Sequence, residues 1–178
     1  MRLKKLPPQF TRTKGMLLFT PNSDNIKEAF ERSEKLGVLP NSFTRGVGRM
    51  TGFLGEVAFE TLYPEANYVG DKVYTHDYVI GKRNIDIKSK NCSGKPQPHY
   101  TASVNCAKGK KLAANAYFFV RVRKDFTRAW MLGWATAHKI QKNGEYKKRG
   151  DPDDYGFTYK VDGFHIPISE LRPAHSLR

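Results

Sequence analysis

Glu56, Asp77, Asp86 and Lys88 are the residues whose types and spacing could do chemistry, three carboxylates and an ammonium in that order along the chain. Carboxylate oxygens are hard donors that recruit hard cations such as magnesium. A lysine two residues after an aspartate is positioned to orient or deprotonate a water. Hydrolysis of a phosphodiester calls for this combination, because the nucleophile meets negative oxygens. Charge must be neutralised, hydroxide supplied at neutral pH and the water held in line. The backbone carbonyl of Ile87, between Asp86 and Lys88, adds a further oxygen to the expected metal shell of Asp77, Asp86, Ile87 and Glu56.

Two elements must position these groups. Residues 76–90 read as two β-type runs around a turn containing Gly81 and Asn84. Side chains alternate along a strand, so Asp86 and Lys88 oppose Ile85 and Ile87, while Asp77 and Val79 oppose Tyr78 and Ile80. An even-residue turn, Lys82-Arg83 or residues 81–84, sets Asp77 opposite Lys88 and Val79 opposite Asp86, with Tyr78, Ile80, Ile85 and Ile87 on a buried apolar face. Asp77 and Asp86 are then diagonal neighbours within reach of one cation. Glu56 comes from a helix over 53–62, whose apolar stripe is Leu54, Val57, Ala58 and Leu62 and which Pro64 stops. Glu60 lies one turn further on and competes with Glu56 for the role.

A helical acid, an Asp on one hairpin strand and Asp-x-Lys on the next resemble the PD-(D/E)XK nuclease superfamily. Glu56 matches the helical acid, Asp77 the Asp of the "PD" element, and Asp86-Ile87-Lys88 the (D/E)-x-K element, with His76 in place of the usual proline. The resemblance covers about residues 51–134. It implies an α/β fold with a restriction-endonuclease-like core, a central mixed β-sheet flanked by helices. It also implies magnesium-dependent cleavage of DNA, less often RNA, by a metal-activated water, with manganese substituting, and endonucleolytic rather than exonucleolytic action. Gly52 to Glu56, the aromatic run 117–122 and residues 130–134 more loosely resemble compact bacteriophage nucleases, which implies action in a host cytoplasm.

Thirty-one Lys and Arg against seventeen Asp and Glu give a formal charge of +14, which selects a polyanionic partner, nucleic acid first. Lys90, Lys82, Arg83, Arg45 and Arg49 are the candidate DNA contacts. The charge also suits an alternative, a non-catalytic basic DNA- or RNA-binding protein that keeps a nuclease-like fold. No apolar run is long enough for a membrane span, which predicts a cytoplasmic protein without membrane contact, as monomer or homodimer. Cys92 and Cys106 match neither a redox pair nor a zinc motif, and the five histidines lack metal-ligand spacing.

At 178 residues a single domain over 1–178 is expected. Residues 1–21 read as a basic arm, and a helix is predicted over 23–36 with Ile26, Ala29, Phe30 and Leu36 on its apolar face. Residues 41–52 read as a loop. Strands are predicted at 68–69, 72–75, 77–80, 85–89, 99–104, 117–123 and 129–134, a short helix at 135–141, a turn-rich insertion at 143–155 and an edge strand at 164–168. The aromatics Tyr117, Phe118, Phe119, Trp130 and Trp134 read as core rather than base-stacking surface.

Overall fold

The computed structural model describes residues 5–35, 47–153 and 156–177, the side chain of Val47 excepted. It is an α/β structure built on a mixed seven-stranded sheet with a second, three-stranded sheet beside it. Strands β1 (Phe10–Thr13) and β2 (Met16–Phe19) precede helices α1 (Ser23–Lys35) and α2 (Val47–Leu62). Then come β3 (Asn67–Tyr68), β4 (Tyr78–Ile80), β5 (Arg83–Cys92), β6 (Thr101–Asn105), β7 (Ala116–Arg123) and β8 (Ala129–Thr136). Helix α3 (Ala137–Asn143), β9 (Glu145–Lys147) and β10 (Gly163–Pro167) follow. The large sheet runs β1-β2-β8-β7-β5-β4-β3, with β5 and β7 parallel and its other pairs antiparallel; the small sheet runs β6-β10-β9.

Strand β7 is apolar almost without interruption because both of its faces are covered. Phe118, Val120 and Val122 join Leu54, Val57 and Phe59 of α2 in one core, while Tyr117 and Phe119 join Ala102, Val104 and Ile166 of the small sheet in another. The aromatics read as core are all buried, with Trp130 and Trp134 at 4% and 2% exposed. On the hairpin, Tyr78, Ile80, Ile85 and Ile87 form the expected buried apolar face.

Several expectations are corrected. The basic segment forms no free arm beyond residue 9: Phe10, Met16, Leu17 and Phe19 are buried and residues 10–19 make a hairpin at the sheet's edge. Burial of these apolar residues outweighs the charges between them. Residues 47–52 belong to α2 rather than to a loop, and Arg45 lies outside the described residues. Phe30 is 56% exposed, because α1 buries Ala29 and Ser33 instead. Residues 72–75 are not a strand, since Lys72 and Val73 both donate to the Val69 carbonyl and close a turn. The insertion at 143–155 holds β9, where Tyr146 packs edge-on to Phe164. β10 is the middle strand of its sheet, tolerating Pro167 only because that residue ends it.

Candidate active site

The hairpin turn has two residues, like the shorter expected form, but lies one position earlier in the chain. Tyr78 pairs with Ile85, Val79 with Asn84 and Ile80 with Arg83, leaving only Gly81 and Lys82 in the turn. Gly81 makes this possible by adopting φ 58°, the left-handed conformation that the first residue of a two-residue hairpin turn requires. Asp77 therefore does not face Lys88, and Val79 does not face Asp86. The Asp77 N–H instead donates to the carbonyl of Ile85 at 3.0 Å, so that Asp77 and Tyr78 are both served by one residue of β5.

That irregularity places the Asp77 carboxylate. β4 starts at Tyr78 while its partner β5 runs on to Cys92, which leaves the Ile87 N–H without a strand partner. Asp77 Oδ2 accepts it at 2.7 Å, closing the ladder with a side chain. Asp86 and Lys88, two apart on one strand face, form an ion pair at 2.5 Å. Both line a cleft of about 290 Å³ between the sheets, together with Tyr74, Tyr117, Lys110 and Lys111. Tyr74 is fully exposed at this cleft.

The rotation of α2 is fixed by two contacts with β5. Thr51 donates its hydroxyl to Asn91 Oδ1 at 2.6 Å, and Gly55 rests on Ser89 so closely that a Cβ would stand 1.9 Å from Ser89 Oγ. The two candidate helical acids then meet different fates. Glu60 is saturated: Arg32 of α1 donates to its two oxygens at 3.0 and 2.7 Å and the Tyr78 hydroxyl donates at 2.6 Å. Glu56 Oε2 is buried and accepts no hydrogen bond among the described residues, its nearest cation being Arg32 at 3.9 Å.

Charge accumulates here. Burial first, then Asp77, raises the Glu56 carboxyl to about 8, with Glu60 and Asp86 adding to the effect against Arg32. Burial also raises Asp86, which Lys88 opposes and Asp77 reinforces. Asp77 thus acts on both other carboxylates. Among the described residues no three His, Cys, Asp or Glu side chains converge as a ready-made metal cage. Magnesium does not need one, since it keeps several waters and is bound through one or two carboxylates. The orphaned Glu56 oxygen and the hard-oxygen donor set suit such an ion.

The candidate nucleic-acid contacts divide. Lys82 is exposed in the turn. Arg83 lays its guanidinium over Trp134, 5.3 Å from the ring centre. Arg49 donates to the Ser33 carbonyl at 3.3 Å, joining α2 to α1. Lys90 turns its amine to Ser103 Oγ of β6. Residues singled out only by the structure are Lys110, Lys111 and Tyr74, which line the cleft, and Arg32, whose salt bridges decide between the two glutamates. Arg32 carried a local signal, its i,i+4 pairing with Glu28 at 2.6 Å, but nothing in the spacing pointed to α2. The chain matches no protein-family model and no curated protein sequence.

Proposed function

We propose that the protein is a magnesium-dependent nuclease with a restriction-endonuclease-like core that cleaves DNA, endonucleolytically and in the cytoplasm of a host cell. One observation carries this reading: a buried Glu56 oxygen without a hydrogen-bond partner, electrostatically coupled to Asp77 and Asp86 beside the Asp86-Lys88 pair. Three neighbouring carboxylates outnumber the cations beside them, Lys88 on Asp86 and Arg32 at 3.9 Å from Glu56, and a divalent cation would offset the remaining cost. Asp77, Asp86, the Ile87 carbonyl and Glu56 would hold the ion. When bound, magnesium would supply neutralisation of phosphate charge and a more acidic water. Manganese would serve the same ligands.

The chain's own groups account for the rest. Lys88, with 38% of its side chain exposed at the cleft, orients a water as an ammonium donor, and its pairing with Asp86 holds it in place. Lys110 and Lys111 draw the substrate backbone into the cleft as part of a +14 surface field. Among the described residues no helix is long and apolar enough to cross a membrane. With one site per chain, cutting both strands of a duplex calls for a homodimer, and single-strand cutting for a monomer.

Incubation of the purified protein with single-stranded and duplex DNA, in magnesium and in chelator, tests the reading. Metal-dependent cleavage is expected, and its absence on every DNA form would reject it. The rival is a basic nucleic-acid-binding protein that does not cut, favoured by the lack of three converging metal-binding side chains among the described residues. It predicts salt-sensitive binding unaffected by chelator.

A further inference from the structure

The cleft over Asp86 and Lys88 carries an aromatic ring that the core does not use. Aromatic side chains hold much of a protein's buried apolar area, so one left wholly in water is informative. Tyr74 is 105% exposed, the most exposed of six large apolar side chains at the surface of the described residues, and of the six it alone lines this cleft. Neither its ring nor its hydroxyl has a partner among the described residues. The segment beneath it is fastened on both sides. Lys72 and Val73 donate to the Val69 carbonyl, Val69 donates to the Asp77 carbonyl at 2.8 Å, and Thr75 Oγ1 lies 2.9 Å from Nδ1 of buried His76. The ring is thus presented to solvent three residues before Asp77.

Two lysines stand in the same cleft. Lys110 and Lys111 belong to the connection between β6 and β7, which turns over residues 107–110: the Lys110 N–H donates to the Ala107 carbonyl at 3.1 Å, and Gly109 takes φ 76°, the positive value that the third residue of a type II turn requires. The far end of the connection is tied to the start of β5, where Asn84 and Asn115 exchange two hydrogen bonds of 3.0 Å. Both lysines are exposed, and neither forms an ion pair among the described residues. A free aromatic face beside free ammonium groups is the combination that binds single-stranded nucleic acid, with bases stacked on the ring and phosphates met by the cations. In a duplex each base is already covered by its neighbours, so the ring has nothing to stack on unless a base leaves the helix. The cleft's volume of about 290 Å³ is at the lower edge of small-molecule sites, roughly 300–1,000 Å³, which gives room for one nucleotide at a time.

We propose that this cleft selects single-stranded DNA, an unpaired base stacking on Tyr74 while the flanking phosphates meet Lys110 and Lys111. The proposal names the substrate class of the nuclease site and rests on that reading for the cut itself; the stacking is a binding property and stands apart from it. Tyr74 contacts the base and leaves the metal ligands and Lys88 to the chemistry.

The test is run in chelator, where cleavage plays no part. Wild type, Tyr74→Ala, Tyr74→Phe and the double variant Lys110→Met/Lys111→Met are titrated with a single-stranded oligonucleotide and a blunt duplex of equal length, at equal salt. Wild type should bind the single strand more tightly. Tyr74→Ala should weaken single-strand binding about five- to a hundred-fold while leaving duplex binding and Tm unchanged, and Tyr74→Phe, which keeps the ring, should bind as wild type does. The lysine variant should lower the slope of log affinity against log salt on the single strand by about 1.4. A 2-aminopurine in the single strand should be quenched by wild type and Tyr74→Phe but not by Tyr74→Ala. Equal wild-type affinity for the two forms overturns the proposal, as does a Tyr74→Ala variant that binds single strands undiminished or loses both forms alike. Magnesium then separates the two readings. A Tyr74-dependent preference without cleavage of any DNA keeps the stacking site and removes the nuclease reading; cleavage of sub-saturating single strands that Tyr74→Ala leaves undiminished keeps the nuclease reading and overturns this one.

Discussion

Strand β5 borders two regions of opposite charge only a few residues apart. At Asp86 it meets Glu56 and Asp77, where burial and then neighbouring carboxylates raise the proton affinity of Glu56 and Asp86; at Lys90 it meets Arg121 and His165, where burial and then neighbouring cations lower that of Lys90 and His165. Lys88 stands between, paired with Asp86 and lining the cavities on both sides. Glu60, one turn from Glu56, shows what a purely structural acid looks like in the same surroundings, with Arg32 and Tyr78 occupying both its oxygens. The contrast teaches that burial alone does not mark a site. Unbalanced charge does, because in a folded core it persists only where a ligand completes it.

The comparison is most sharply broken at its midpoint. Lys88→Ala should lower cleavage by about 10²- to 10⁴-fold in a single-turnover assay while DNA binding measured in chelator is retained; equal activity would remove Lys88 from the chemistry. Next in size is the difference between the two glutamates. Glu60→Gln should cost about 1.5–3 kcal/mol in urea denaturation, because it weakens charge-assisted bonds from half-buried Arg32, whereas Glu56→Gln should stabilise the metal-free protein at pH 8 and abolish its response to magnesium. A loss of stability in both variants would erase the distinction.

Gly55→Ala should destabilise by about 1–3 kcal/mol, since its Cβ meets Ser89 Oγ, and Ser89→Ala in the same chain should recover most of the loss. The two regions also differ in their response to pH. Glu56 has its folded pKa raised from 4.5 to about 8, so the stability it contributes is full below about pH 4.5 and is lost as pH rises to about 8. His165 has its folded pKa lowered from 6.5 to about 4, so its contribution is lost as pH falls from 6.5 to about 4. In chelator, Glu56→Gln should flatten the alkaline limb of a Tm-against-pH curve and His165→Gln the acid limb; a single variant flattening both would contradict the separation of the two regions.

The apolar face of the hairpin was legible because strand alternation is a period of two and Tyr78, Ile80, Ile85 and Ile87 keep it. The pairing was not, because register depends on which two residues form the turn, and the positive φ of Gly81 sets it at Gly81-Lys82. Helix α2 was legible from Leu54, Val57 and Ala58, but its start at Val47 was hidden by Gly48, Arg49 and Gly52, which resemble a loop by composition while the sheet's packing sustains a helix. Of the small sheet, β6 and β10 were legible but β9 was not, because it is three residues long and its apolar partner Phe164 lies far along the chain.

By itself the sequence determined the residue types available for chemistry, their order, the basic charge and the division of β5 into an apolar and a charged face, since all of these follow from composition and local periodicity. Tertiary structure alone decided that Asp77 bonds to Ile87, that Arg32 bonds to Glu60 and leaves Glu56 Oε2 without a hydrogen bond, and that Lys90, Arg121 and Ser103 from three different strands line one cavity. Those outcomes depend on the rotation of α2, the end of β4 and the docking of one sheet against another, and contacts between residues distant in sequence leave no local pattern to read.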